Sequence, residues 1–550
     1  MASLPDYVTA ATPVPQEARA AWYKNTAPTY AGVMLWFVFW QAIVSGQPTP
    51  GGGLAAGLLI GIVGIVIAAL FCHFLTYLAP ALMGLKTGLP LYVVGTSTYG
   101  VRGGFIMPGF LMGALQFGWL AVNAFFSAYA ICLALRIGCV EVGGFYEVII
   151  PGSIHSIVTV VFLLAAVVIG LVGIQYVAKV ATYFPLIFLA VLIILVVKTA
   201  GGLGSFTTDK MVQASMAAPE QREKALEDIK AKFAKVEAEG ELTVAQKKLR
   251  DDKIKAAEGA VGAAKKIAFE KDGTTARLPE GNFGILMFLS ATIVGFFATA
   301  GAAGADFGTN SRNTSDVQWG GFVGIIGATI LAAVMSMLIV AGAYGGDMVQ
   351  EAGLIGNFNP VEIMFDPNIL GEYARWAMLG LAVASFAPAC FPAMIAANSF
   401  KSTMPRGWKI AVVLGTLIAI ALSVTGIVRE VVSVFAIVGA SFGPICGAML
   451  ADYLLAGCKW PGPRAAFNPA GWISWAVGFY LGAVDLTVGK LMGVEAIAQG
   501  APWLKKLAFG VPCPAMTALI AGFVVYLILA VIGLRSKSLE MPAAEEAAAE

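Results

Sequence analysis

Apolar residues run almost unbroken for about twenty positions again and again along this chain. A helix needs about 20 such residues to cross the hydrocarbon of a bilayer. Each run therefore predicts a membrane helix, and the pattern gives twelve: 27–46, 54–80, 104–134, 153–173, 180–200, 283–305, 317–343, 373–398, 408–427, 431–455, 471–489 and 512–534. The pattern changes character once. Residues 207–281 hold 15 Lys or Arg and 14 Asp or Glu in 75 positions. Leu226, Ile229, Phe233 and Val236 recur there at helical spacing, which draws one apolar seam on a charged helix. Pro219 suits the first turn of that helix and Gly240 breaks it. Thr243 and Gln246 read as a capping box for a second helix, with its seam through Leu249, Ile254, Val261 and Ala264. The insert is predicted to be a helical hairpin. Either it is a solvated elaboration, or it docks a protein partner; a face of alternating charge favours the first.

Composition narrows the class. Of 550 residues, 58% are apolar and 12% charged, which no soluble domain of ordinary composition matches. Removing the insert leaves a body that is near 8% charged. The net charge of +2 offers no footprint for nucleic acid. With only His73 and His155, and seven scattered cysteines, neither a histidine-built metal site nor a disulfide framework is expected. Cytoplasmic loops carry the excess of Lys and Arg. With the N-terminus inside, the inner loops hold thirteen and the outer loops, the insert aside, seven. Both termini are thus expected in the cytoplasm and the insert outside it. Residues 1–26 predict no cleaved leader, and the Ala- and Glu-rich end after Pro542 predicts a frayed tail.

Chemistry is expected where helices are interrupted, since freed backbone at mid-membrane can bind ions and solutes. Span one places Gln41 among Trp36, Phe37, Phe39 and Trp40, and span six carries Gly301 and Gly304 in a run of alanines. These two spans open two five-helix halves, and five, being odd, makes the halves inverted repeats. The span-six glycines fit an unwound site and close helix packing equally well. In span three, Gln116, Trp119 and Asn123 fall on one stripe. A ring stacks on an indole while an amide reads its edge, although interhelical hydrogen bonding explains a lone Gln116 as well. Span eight holds Pro388, Pro392 and Asn398. Asp306 and Asp452 sit where spans six and ten should leave the membrane inward, where capping, a gate contact and proton coupling are all open. Asp485 lies near an outer end and suits an interfacial role.

Four stretches together resemble the nucleobase–cation symporter-1 family, and within it the bacterial cytosine permeases. They are Lys86 to Trp119, GFFATAGAAGADF in span six, MIAANSF in span eight, and FGPICGAMLADYLL from Phe442 to Leu455. The resemblance runs in outline over residues 27–534 and omits the hairpin. It implies an all-α polytopic protein with a LeuT-like five-plus-five inverted repeat, 12 transmembrane helices in all, and substrate held between spans one, three, six and eight. The segments are then an N-terminal stretch 1–26, a first repeat 27–200, the insert 207–281, a second repeat 283–455, peripheral spans within 471–534 and a tail 535–550. The resemblance assigns Gln116 to the substrate edge, Trp119 and Phe297 to the two faces of its ring, Asn398 to a span-eight contact and Gln41 to a span-one contact.

The implied activity is import of a nucleobase or similar planar heterocycle by alternating access. No bond is made or broken, so no enzyme and no cofactor are expected. The alternatives are a transporter of another small solute, such as an amino acid, hydantoin or vitamin, and a membrane sensor signalling through the hairpin. Sodium-coupled relatives place two hydroxyl residues on span eight, where this chain has Pro392 and Ala393. A hard cation wants oxygens, so the backbone at Ala389 is what remains of that site. A proton is favoured over sodium as the coupling ion, with Asp306 a candidate carrier, and simple facilitated uptake is the alternative.

Overall fold

In the computed structural model, the structure describes residues 4–25, 40–44, 52–142, 145–172, 183–207, 219–269, 281–348, 360–429, 431–492, 499–511 and 513–541. Ten helices among them are long and apolar enough to cross a membrane. They are Leu58–Thr87, Phe105–Leu135, Ser153–Val172, Leu186–Ser205, Gly281–Ala302, Thr314–Gly345, Gly371–Lys401, Phe435–Leu455, Pro469–Met492 and Pro514–Val531. A shorter apolar helix, Trp408–Val424, falls at the ninth expected span. Most of the first span and the tail after 541 lie outside the described residues, as do positions 208–218 and 270–280 of the insert.

The packing is that of two related halves. Spans three and four pack with spans eight and nine, and span two packs with spans six and seven. Three pairs with eight, four with nine and two with seven, each five spans apart in the chain. Ten packs on six, eleven and twelve. Spans four and nine leave apolar side chains facing outward, among them Val161, Val168, Leu414 and Ile418. Such faces suit lipid rather than water, and the chain is a multi-pass membrane protein.

The glycines of span six serve close contact. A Cβ on Gly301 would stand 2.4 Å from the Thr76 hydroxyl, and one on Gly308 would stand 2.0 Å from the Ala81 carbonyl oxygen. Span two answers with Gly84, whose Cβ would stand 2.0 Å from the Ala305 oxygen. Of the two roles open to this run, packing is the one seen here. The helix is interrupted only at Ala303 and resumes over Gly304–Thr309.

Between spans three and four a β-hairpin pairs β1 (Cys139–Val142) with β2 (Phe145–Val148) in antiparallel register. The insert forms helices Pro219–Glu239 and Val244–Phe269. At the start of the second, the Thr243 N–H donates to Gln246 Oε1 at 2.9 Å and the Gln246 N–H to Thr243 Oγ1 at 3.3 Å. Phe233, Leu242 and Leu249 bury together with Val140 of β1. The Gln246 amide adds a bond to the Glu141 carbonyl at 3.2 Å. The insert is thus seated on the span three–four hairpin.

Candidate binding site

Span three enters through a π-turn, Phe105–Phe110, with Met107 extended and Pro108 inside it. The regular helix then runs Leu111–Leu135. Gln116 is buried on it, and its Nε2 donates to Met112 Sδ at 3.3 Å. A thioether is a weak acceptor, so this contact leaves most of the amide's bonding capacity for another group. Asn123 does not join it: its Nδ2 donates to the Trp119 carbonyl one turn back, at 2.8 Å. The Trp119 ring is half-buried and lies 4.2 Å from Phe435, centroid to centroid, tilted by 45°. Phe435 meets Phe296 edge-on at 4.5 Å. A row of rings therefore links spans three, ten and six. Phe297 is buried beside this row in sequence, at 3% exposure. Sequence reading missed Phe435, because nothing in VVSVFAIVG sets that ring apart from an ordinary apolar face.

A cavity of about 340 Å³ opens against the start of span three, at Met112. Met112 lines it, together with Asp306, Asn310, Asn398, Lys401 and the Pro90–Tyr92 segment. Two candidates, Asp306 and Asn398, line the cavity; Gln116 does not, but it is bonded to Met112, which does. Asp306 Oδ1 accepts the Leu91 N–H at 2.8 Å, which joins the end of span six to the span two–three loop. Burial pushes its carboxyl up to about 6, against the lowering effect of that N–H.

The other candidates stand apart from the cavity lining. Ala389 is buried in the helix Phe386–Thr403, just past an interruption of span eight at Ser385. Pro392 and Ala393 are buried there too. The hydroxyl that this break does present, Ser385 Oγ, pairs with Ser127 Oγ of span three. Gln41 belongs to a π-turn, Trp40–Val44, and its side chain lies outside the described residues. Among the described residues no group of three or more His, Cys, Asp or Glu is disposed to hold a metal.

Two acids noted in the sequence have structural partners. Asp485 accepts the backbone N–H groups of Phe509 and Val511, fastening the segment before span twelve. Asp452 is paired with Arg464 at 3.0 Å, and Tyr526 donates to it at 2.7 Å.

Residues 13–218 match the family described as permease for cytosine/purines, uracil, thiamine, allantoin. No curated protein matches the chain in sequence. Solved structures share its fold over nearly its whole length. An inward-facing conformation of Mhp1 aligns at TM-score 0.55 and 15% identity, covering 100% of this chain and 98% of that one. Mhp1 closed on bromovinylhydantoin, described as a nucleobase-cation-symport-1 family transporter, aligns at TM-score 0.53 and 16% identity, covering 97% and 98%. A substrate-bound, outward-open Na+-coupled sialic acid symporter aligns at TM-score 0.51 and 10% identity, covering 95% and 92%. At these identities the likeness is one of fold, and it is the LeuT-like fold. With the family match over residues 13–218, it supports the resemblance that the motifs carry.

Proposed function

We propose that the protein is a secondary transporter importing a nucleobase or a related small planar heterocycle across the cytoplasmic membrane. Both termini lie in the cytoplasm on this reading, as the Lys and Arg distribution of its loops favours. The observation that carries it is Gln116: a buried amide bonded, among the described residues, only to a thioether, one turn from the half-buried ring of Trp119, within the stretch that matches a family of permeases for cytosine/purines, uracil, thiamine, allantoin. The ring of the substrate stacks on Trp119, with Phe297 on its other face. Gln116 reads its polar edge, and Asn398 and Gln41 complete the contacts. Transport follows alternating access, in which spans one, two, six and seven rock against three, four, eight and nine.

Coupling to a proton is favoured over sodium. A hard cation needs oxygen ligands, and Pro392 and Ala393 supply no side-chain oxygen on span eight. The Ala389 carbonyl is the backbone remnant of such a site, and Asp306 is the proposed proton carrier. The test is uptake of a panel of nucleobases and hydantoins into cells. Gln116→Ala and Phe297→Ala should abolish uptake while the protein still reaches the membrane. Undiminished uptake of every compound that the unaltered protein transports would remove the site assignment.

A further inference from the structure

The cavity beside span three lies off the stacking group. Along a helix at 1.5 Å per residue, Met112 stands about 6 Å from Gln116. Its side chain is buried between that amide and the cavity. Thioether chains are flexible and repack easily, so Met112 can move between the Gln116 amide and the cavity. A volume of about 340 Å³ is at the lower end of what holds a small organic ligand.

The cavity's polar groups come from opposite walls. Asp306 and Asn310 follow span six, while Asn398 and Lys401 end span eight. One wall offers a carboxylate acceptor and the other an amide and an ammonium. Asp306 uses one oxygen on Leu91, and a carboxylate has further acceptor sites. Asn310 Nδ2 is turned to the Asp306 carbonyl at 3.0 Å, which leaves its amide oxygen as a further acceptor. This set matches a neutral planar ring that carries N–H on one edge and C=O on another. By the loop charges, this is the cytoplasmic side.

We infer that the cavity is a second ligand station, taking a planar cyclic amide or ureide on its way between the Gln116 site and the cytoplasm. Asp306 and the Asn310 amide oxygen accept its N–H groups, Lys401, which rests over the Trp408 ring at 4.8 Å, turns to donate to its carbonyl, and Met112 separates the two stations. The inference rests on the proposed substrate class and adds a second site to it.

The test is equilibrium binding to the purified full chain with labelled cytosine, uracil and hydantoin in turn. Two sites per chain are expected for at least one probe. Gln116→Ala should lose one of them and keep the other. The double variant Asn310→Ala/Lys401→Ala should weaken the second at least tenfold and leave the first within twofold, which also shows that the variant is folded. A single site per chain, whichever variants affect it, overturns the second station and leaves the substrate reading standing. No binding of any probe overturns both.

Discussion

Arg464 and Asp452 form an ion pair inside the protein, Nη2 to Oδ1 at 3.0 Å, with side chains 7% and 0% exposed. The rest of each charge is satisfied by neighbours. Arg464 Nε donates to the Ser97 carbonyl at 2.7 Å and Tyr526 to the same Asp452 oxygen at 2.7 Å. Asn468 donates to the Thr98 carbonyl and accepts the Ser536 N–H. The span two–three loop, the end of span ten, the loop before span eleven, span twelve and the segment after it thus meet at one pair.

Removing one partner leaves the other charge buried without compensation, which costs about 3–5 kcal/mol. Arg464→Leu is therefore expected to lower the unfolding midpoint sharply in detergent. The double variant Asp452→Leu/Arg464→Leu should recover part of the loss, because no lone charge remains. Equal midpoints for Arg464→Leu and the unaltered protein would show the pair to be energetically idle.

Phe435 stands against Trp119, so its loss should unsettle the ring proposed to stack the substrate. Aromatic stacking of a base is worth about 1–3 kcal/mol by alanine substitution. Trp119→Ala is expected to raise the KM for uptake roughly tenfold or more, and Phe435→Ala by a smaller factor. A Phe435→Leu variant, which keeps much of the volume but not the ring face, should fall between Phe435→Ala and the unaltered protein. Uptake kinetics in vesicles measure all three.

The Asp306 carboxyl, raised to about 6 by burial, shares its cavity with Lys401 and Tyr92. Above that value it is ionised, and below it protonated. With the inner pH near about 7.5 it should release its proton and permit net uptake. Lowering the inner pH to about 5.5 should keep it protonated and slow uptake. Asp306→Asn should lose this dependence while exchange of substrate across the membrane persists. Replacing sodium by choline should change uptake little; a steep, saturable sodium requirement would overturn the reading of span eight.

Helix contact through glycine makes a sharper stability prediction. A Cβ at Gly308 meets backbone at 2.0 Å, whereas one at Gly489 meets nothing within 4 Å. Gly308→Ala must push spans two and six apart and is expected to abolish a monodisperse peak on size-exclusion chromatography. Gly489→Ala should behave as the unaltered protein does.

The insert is held by a small apolar cluster on β1. Phe233→Asp should release it and loosen both insert helices so that trypsin cuts at their Lys and Arg, with uptake preserved. If uptake fails with the body still folded, the insert is part of the transport machinery or its regulation.

Much of the architecture was legible in order along the chain. Apolar run length marks spans because the bilayer forbids unsatisfied backbone. The insert's capping box was legible because Thr243 and Gln246 are three residues apart and cap locally. Span six was only half legible: Gly301 and Gly308 are needed for Thr76 and Ala81, which lie more than 200 positions away.

What the sequence by itself determined is therefore whatever depends on neighbours within a turn or two: the spans, the charged insert, the stripe carrying Gln116 and Trp119. Only the tertiary structure decided what those residues face. It set Phe435 against Trp119, Met112 beneath Gln116, Asp306 and Asn398 around one cavity, and Arg464 on Asp452. The reason is physical. A helix repeats every 3.6 residues and so displays its own faces, but in a bundle of apolar helices almost every face is equally greasy. Which face meets which is settled by close packing and by the few polar groups that must find partners.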